Sequence, residues 1–379
     1  MAAVSWSHGH ELTDEQSEIR ALVARFADDV VAPRAAEWDR EHRFPKEVFT
    51  QLGELGLMGV CVPEDVGGAG ADFLSYVLVL EELSRGDAGA GVTLAVHTGA
   101  GTLPILAHGT RGQVERLVPP LAQGHEIGAF ALTEPGSGSD AGAMLTRADD
   151  QHRLTGTKQW ITNGSHAHVF TVFAKQDGAV SAFVVRRGAE GFRVTREEEK
   201  LGLNSSSTAD LAFDATPAEP LGPPGGGMRI ALSTLDGGRI GIAAQAVGIA
   251  QAALDLASAY AKERTAFGGP IGRFQAISHK LADMQAEIEA ARALAYRAAR
   301  LKQAGRPHTV EGAQAKLFAS GVARRATGEA IQVLGGYGYT KEFPAERYYR
   351  DAKVTELYEG TSEIQRLVIA RGLLGEIAG

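Results

Sequence analysis

The hydrophobic period changes twice along this chain, and that double change constrains the fold more than any other feature. From Thr13 to Val31 the residues Ile19, Leu22, Val23, Phe26 and Val30 recur at helical spacing behind a Thr13–Gln16 capping box, and Pro33 follows. PKEVFTQLGELG, FLSYVLVLEELSR and the stretch from Ala88 to His97 continue in that style, so the first part reads as helical. From Gly128 to Phe213 the texture becomes short runs, among them AFALT, HRLTGTKQWIT, VFTVFA, VSAFVV, FRVT and DLAFD, punctuated by Gly, Asn-Gly and Asp-Gly. That reads as antiparallel β. ATPAEPLGPPGGG marks a boundary, and helical spacing resumes beyond it. Between Gln275 and Gln303, Ile277, Leu281, Met284, Ile288, Ala291, Ala295 and Ala298 step by three and four, and the alanines permit close helix packing within a subunit or across an oligomer. The expected class is α+β: an N-terminal helical domain over 1–124, a middle β domain over 125–224 and a C-terminal helical bundle over 225–379.

A chain of 379 residues, 44% hydrophobic, buries a substantial core in two or three units. It has no run of eighteen apolar residues, and MAAVSWSHGHELTDEQ has neither a charged n-region nor an apolar h-region. Neither membrane spanning nor secretion is therefore expected, and the cytoplasm is the expected location. Cys61 is the only cysteine, which excludes an internal disulfide and a cysteine-based zinc site, and its setting GVCVP predicts a buried structural thiol. A net charge of −8 opposes a nucleic-acid or anionic-membrane surface, and Arg324–Arg325 is an isolated basic pair. His8/His10 and His166/His168 lack the spacing of a metal motif, so no metal site is expected; P-loop, nucleophile-elbow and EF-hand patterns are also missing.

Five segments carry candidate chemistry. GSGSDA, from Gly136, fits the G-x-G-x-x-A fingerprint, but the β texture after it rules out a βαβ unit, leaving a phosphate-holding loop or a plain turn. TGTKQWITNG joins an alternating strand to an Asn163-Gly164 hairpin signal, with Trp160 and Thr162 on one side; the indole is either core or a ligand wall. LDGGRIG places Asp236 and Arg239 for an i,i+3 pair at a helix start, and Arg264 and Gln275 flank a Gly-Pro break. In YEGTSEIQRLVIA, Ser362 and Gln365 form a capping box, Ile364, Leu367 and Val368 begin an apolar stripe, and Glu359 precedes the helix. Glu359 is then either a capping acid or a base; the helix end favours its anion while burial raises its pKa.

Taken in this order, FALTEPGSGSDAGAM, GTKQWITNG, RTAFGGPIGRFQAI and IQVLGGYGYTKEFPAERYYRDAKVTELYEGTSEIQRLVIAR resemble the acyl-CoA dehydrogenase family over nearly the whole chain, most closely its short-chain (butyryl-CoA) branch. The resemblance implies an N-terminal α-helical domain, a middle antiparallel β-barrel and a C-terminal four-helix bundle. It also implies non-covalent FAD, a homotetramer built as a dimer of dimers with flavin contacts shared between subunits, and no nucleic-acid or membrane partner. The implied reaction is α,β-desaturation of a short-chain acyl-CoA, straight or branched, to the trans-2-enoyl-CoA, with electrons passed to electron-transfer flavoprotein, in fatty acid β-oxidation or branched-chain amino acid degradation.

By the same resemblance Glu359 is the base. Phe130, Leu132, Thr133, Gly138 and Ser139 line the flavin and its phosphates, Trp160, Ile161 and Thr162 flank the ring system, and Arg264, Phe267, Gln275, Gln332, Val333, Gly335, Gly336, Thr361 and Glu363 supply further FAD contacts. Ser139, Asp236, Arg239, Tyr358 and Gly360 fall at CoA or acyl positions. The thioester carbonyl is polarised in the family by a flavin ribityl hydroxyl and by the backbone N–H of the base residue. Isovaleryl and long-chain members carry their base at the position of Gly238, which has no side chain to serve. FDATPAEPLG and QDGAV are shorter than the family's usual connections. An acyl-CoA oxidase-like member is the enzymatic alternative, opposed by the chain's length; a flavin-retaining DNA-binding or scaffolding relative is the other, opposed by the acidic charge and the presence of Glu359.

Overall fold

The computed structural model describes residues 12–375; His8, His10 and most of the N-terminal segment read for a leader lie outside them. The chain opens with α1 (Asp14–Phe26), α2 (Ala32–Glu41), α3 (Lys46–Glu54), α4 (Phe73–Gly86), α5 (Ala88–Leu94), α6 (Leu103–His108) and α7 (Arg111–Ala122). The capping box at the start of α1 is present, with Gln16 N donating to Thr13 Oγ1 at 3.2 Å and Thr13 N to Gln16 Oε1 at 3.0 Å. Pro33 does not end that helix. Residues Ala27–Val31 form a π-helical turn whose last N–H, from Ala32, reaches Ala27 O, and α2 continues from it. A π turn widens the helix, which accommodates a proline that lacks an N–H and would otherwise strike the carbonyl four residues back.

The middle of the chain is a single eight-stranded sheet of β1 (Gly128–Ala131), β2 (Arg147–Ala148), β3 (Arg153–Thr162), β4 (Val169–Gln176), β5 (Ala179–Arg186), β6 (Phe192–Glu197), β7 (Thr208–Pro217) and β8 (Glu219–Leu221). The order is β6-β7-β3-β2-β4-β5-β8, with β1 beside β4. This corrects the expected barrel: β6 and β8 remain edges. The strand β8 is three residues long and includes Pro220, which has no N–H to give, while β6 is charged and largely exposed; neither offers the other a ladder. The sheet is also mixed, since β1 and β2 both run parallel to β4.

Three long helices follow, α8 (Gly227–Glu263), α9 (Gln275–Gln303) and α10 (Thr309–Leu334), then the short α11 (Ala345–Val354) and α12 (Ser362–Leu374). A hairpin of β9 (Thr265–Ala266) and β10 (Gly269–Pro270) sits between α8 and α9. One hydrophobic cluster joins both helical parts through Trp38, Phe49, Tyr76, Leu80, Ile240, Val247, Ile288, Tyr296 and Val322. Helix α8 is buried on every side from Arg239 to Ala250 because α4, α9 and α10 all pack on it. Gly248 makes that approach close: a Cβ there would lie 2.2 Å from Glu81 O on α4. The buried Glu81 carboxylate accepts from Arg292 Nε and from Tyr296 Oη, each at 2.8 Å, tying α4 to α9. Two helical stretches, Ala88–His108 and Gly227–Glu263, are long and apolar enough to cross a membrane, but 78% and 83% of their most apolar windows are buried in this core. Cys61 is half-buried, and burial pushes its thiol up to about 12.

Candidate active site

Glu359 lies in the short turn between α11 and α12. It has φ +54° and Gly360 has φ +88°, two successive left-handed residues that swing the Glu359 side chain back into the protein. For a residue with a Cβ that conformation costs about 1–2 kcal/mol, so something must hold it. Gln365 Nε2 donates to Glu359 O at 3.2 Å and to Gly360 O at 2.7 Å, and Lys316 Nζ also donates to Gly360 O. Beside them Tyr358 Oη donates to Gln245 Oε1, and Gln245 Nε2 to Ala88 O at 2.8 Å.

The expected Ser362–Gln365 capping box does not form. Thr361 is the N-cap, its Oγ1 accepting from Ile364 N at 3.4 Å, and Ser362 is already helical. Gln365 is drawn away from the cap by the two carbonyls it serves and is the only fully buried residue of α12. The stripe begun by Ile364, Leu367 and Val368 stays partly open, with Leu367 45% exposed.

Glu359 as a residue is half-buried, but its Oε2 is enclosed and has no hydrogen-bond partner. Burial raises the carboxyl to about 7; the Lys316 and Arg239 charges oppose that rise. A Cβ built on Gly238 would lie 2.4 Å from Glu359 Oε2. The side-chain-free position on α8 and the carboxylate from the far end of the chain therefore meet at one point. Gly238→Ala is expected to push the carboxylate aside by about 1 Å, toward ordinary contact distance, and a misplacement of that size lowers turnover by about 10²-fold. Because the atom displaced is the end of a flexible side chain, thermal unfolding should hardly change; steady-state kinetics alongside a melting curve checks both halves.

At the next position of α8, Arg239 is buried and donates through Nη1 to Asp236 Oδ1 at 2.7 Å, while Asp236 Oδ2 accepts from Thr309 Oγ1 at 2.7 Å. Arg239 Nε has no partner. The pair is not at a helix start as expected, because α8 already begins at Gly227. Lys316, buried on α10, is the residue of this group that spacing did not reveal; the readable signal was a lysine on the stripe of small residues Gly312, Ala315, Ala319 and Ala323.

A second group surrounds the glycine-rich loop. Phe130 and the buried Leu132 come from β1 and the chain just after it, and Thr133 O accepts from Gln159 N at 2.9 Å. Lys158, fully buried on β3, donates to Leu132 O at 2.9 Å and Glu134 Oε1 at 2.7 Å; Glu134 in turn accepts from Leu145 N at 2.5 Å and Thr146 N at 3.1 Å. Both ends of the loop are thus fastened to one ion pair. Between them Gly136 and Gly138 face open space, Ser139 is exposed, and a cleft of about 300 Å³ runs beside Glu134, Gly136, Thr146 and Thr157. A register shift in β3 between Lys158 and Ile161 places Trp160 at φ +59°, with its N–H on Asp210 Oδ1 at 3.2 Å. Trp160 is 59% exposed while Ile161 is buried and Thr162 half-buried, so the indole is not core.

The third group is a cavity of about 480 Å³ lined by Arg264, Tyr260, Val333, Gly335, Gly336 and Tyr337, with the Arg264 guanidinium 6.0 Å over the Tyr337 ring. Gln275, Gln332 and Phe267 do not line it: the first two are exposed, and Phe267, 90% exposed on the β9–β10 turn, packs edge-on against Phe274. Thr361 and Glu363 belong with Glu359 at the start of α12.

These features fit a flavin dinucleotide. An exposed indole at a bulge offers a face to a planar ring system, and bare glycine backbone at Gly136, Gly138, Gly335 and Gly336, near Arg264 in the second case, offers N–H groups and charge to phosphate.

Comparison with known proteins agrees. The chain matches the acyl-CoA dehydrogenase N-terminal domain over residues 13–125, the middle domain over 129–216 and the C-terminal domain over 225–374. It is 51% identical over 375 residues to the mitochondrial short-chain specific acyl-CoA dehydrogenase of Bos taurus, covering 96% of this chain and 91% of that one. It is 48% identical over 370 residues to the short-chain specific acyl-CoA dehydrogenase of Clostridium acetobutylicum, covering 95% and 98%. Among solved structures, butyryl-CoA dehydrogenase from Megasphaera elsdenii superposes with a TM-score of 0.94 at 44% identity, covering 96% of this chain and 99% of that one. A chain from a study of the electron transferring flavoprotein of Acidaminococcus fermentans gives 0.95 at 45% identity, covering 97% and 99%. This chain belongs to the acyl-CoA dehydrogenase family, a class of FAD-dependent oxidoreductases.

Proposed function

We propose that this enzyme desaturates a straight short-chain acyl-CoA between its α and β carbons, with Glu359 removing the α-proton. The observation that carries the reading is the enclosed, unpartnered Glu359 Oε2 against Gly238, on a carboxyl raised to about 7. A base for a weakly acidic C–H is strengthened by burial, and here burial prevails over the Lys316 and Arg239 charges. Among the described residues no acceptor takes the Glu359 backbone N–H, which leaves it free to donate to a thioester carbonyl. Such donors commonly contribute about 3–4 kcal/mol to a developing oxyanion.

Bound FAD supplies the acceptor for the β-hydride. Trp160, Ile161, Thr162 and the loop carrying Gly138 and Ser139 would hold it, as would Arg264 with Val333, Gly335 and Gly336. Gln275, Gln332 and Phe267 stand outside that cavity in a single chain, and Phe267 is 90% exposed, which supports completion of the flavin site by a second copy in a homotetramer. Arg239, Asp236, Tyr358 and Gly360 border the acyl end. The short chain is supported by the names of the Bos taurus, Clostridium and Megasphaera relatives, and electron-transfer flavoprotein as acceptor by the Acidaminococcus study.

The test is an anaerobic titration of the flavin absorbance with acyl-CoAs of four to sixteen carbons and branched analogues. Butyryl-CoA should bleach the band fastest. A longer or branched chain bleaching it faster would overturn the substrate, bleaching by none would overturn the reaction, and fast reoxidation of the reduced enzyme in air would make it an oxidase.

A further inference from the structure

Lys316 is wholly buried and forms no salt bridge among the described residues. Its Nζ donates to Gly360 O, and the opposite charge that acts on it most strongly is the Glu359 carboxylate. Burial lowers the ammonium group to about 8 against that attraction; Arg239 lowers it further, while Glu356 and Glu363 act the other way. A buried ammonium ion without a salt-bridge partner is expensive to maintain, and the Gly360 carbonyl already has a neutral donor in Gln365 Nε2. A second hydrogen bond alone does not explain a charge here.

We propose that Lys316 is a positioning residue for the base: its ammonium group pins the Gly360 carbonyl, and with it the left-handed Glu359–Gly360 turn, while its charge faces the Glu359 carboxylate and favours the ionised form. This rests on Glu359 being the base. Two consequences of the geometry are separable. The hydrogen bond fixes where the carboxylate and the free Glu359 N–H point, and the charge sets the pH at which the carboxylate becomes able to accept a proton.

The groups facing Glu359 are Lys316 from α10, Arg239 from α8, Tyr76 from α4 and Tyr358 beside it, with Asp351 of α11 acting on Tyr358 from behind. Both tyrosines are held well above their usual range by burial and stay neutral near neutral pH; the Tyr76 hydroxyl is also committed to Ala95 O at 3.0 Å. Lys316 is then the cation close to Glu359 that a substitution can remove without breaking the Asp236–Arg239 pair.

The test compares the pH profiles of FAD-loaded wild type, Lys316→Met, Lys316→Gln and Lys316→Arg with butyryl-CoA. Lys316→Met is expected to lower kcat at pH 7 by roughly tenfold or more with KM changed less than about twofold, and to move the acid limb of the profile upward by about one pH unit. Lys316→Gln, which keeps a donor for Gly360 O, should show the displaced limb with a smaller loss of kcat above it; Lys316→Arg should keep the limb where wild type has it. A wild-type limb in both neutral variants, or a limb displaced as far by Arg as by Met, overturns the proposal. If Lys316→Met does not retain flavin, Lys316→Gln decides on the same criterion. A Glu359→Gln control separates the two readings: if it remains active, the base assignment has failed and the role of Lys316 falls with it, whereas an inactive Glu359→Gln beside an undisplaced limb in the Lys316 variants overturns the role of Lys316 alone.

Discussion

Glu359→Gln is expected to yield a folded, FAD-loaded protein whose turnover of butyryl-CoA is lower by about 10²–10⁴-fold. The amide keeps the size of the side chain beside Gly238 but accepts no proton. The turn that presents it is held through backbone carbonyls, by Gln365 and Lys316, so removing the carboxylate leaves the support in place. Flavin content from the visible spectrum and steady-state rates on the same preparation separate lost chemistry from lost cofactor. The wild type should show a matching pH dependence. With the carboxyl raised to about 7, lowering the pH below that value protonates the base, and the rate should fall about tenfold per unit; the variant's residual rate should lack that limb. A variant retaining the wild-type rate would remove Glu359 from the mechanism.

Lys158→Met should cost about 3–5 kcal/mol of stability, the usual penalty for leaving one member of a buried ion pair behind. Lys158 is fully buried, Glu134 is 5% exposed, and the pair fastens Leu132, Leu145 and Thr146 as well as each other. The loop with Gly138 and Ser139 hangs between those points, so flavin retention should weaken along with the melting temperature. Adding Glu134→Gln to Lys158→Met removes the orphaned charge while keeping an acceptor for one of the two N–H groups, and part of the lost stability should return. If the single substitution melts with the wild type, or the double one melts lower still, the ion pair does not fasten the loop as described.

What the sequence revealed of this molecule follows the range of the forces involved. The Thr13–Gln16 box was legible because both partners lie within four residues, and the change from helical to alternating spacing at Gly128 was legible because burial imposes its period directly. Pro33 was misleading since the π turn that absorbs it depends on the packing of α1 and α2 as one continuous helix. The open sheet was unreadable because strand order is set by partners far apart in the chain, and the bulge that exposes Trp160 is fixed by β7 and Asp210. At the site itself, local pattern left Glu359 as either a capping acid or a base; the resemblance of the ordered motifs points to the base, and the contact with Gly238 supports that reading. Lys316 acts on Gly360 from 44 residues away, and Gln365 left its expected cap for the same carbonyl, two choices made by tertiary packing alone.

Anaerobic mixing of butyryl-CoA with the FAD-loaded wild type and with Glu359→Gln, followed at the oxidised-flavin band, is the most direct test of the base assignment. The wild type should bleach in a single turnover, and the variant should bind with a spectral shift but stay oxidised over the same time. Bleaching of the variant at the wild-type rate would contradict it.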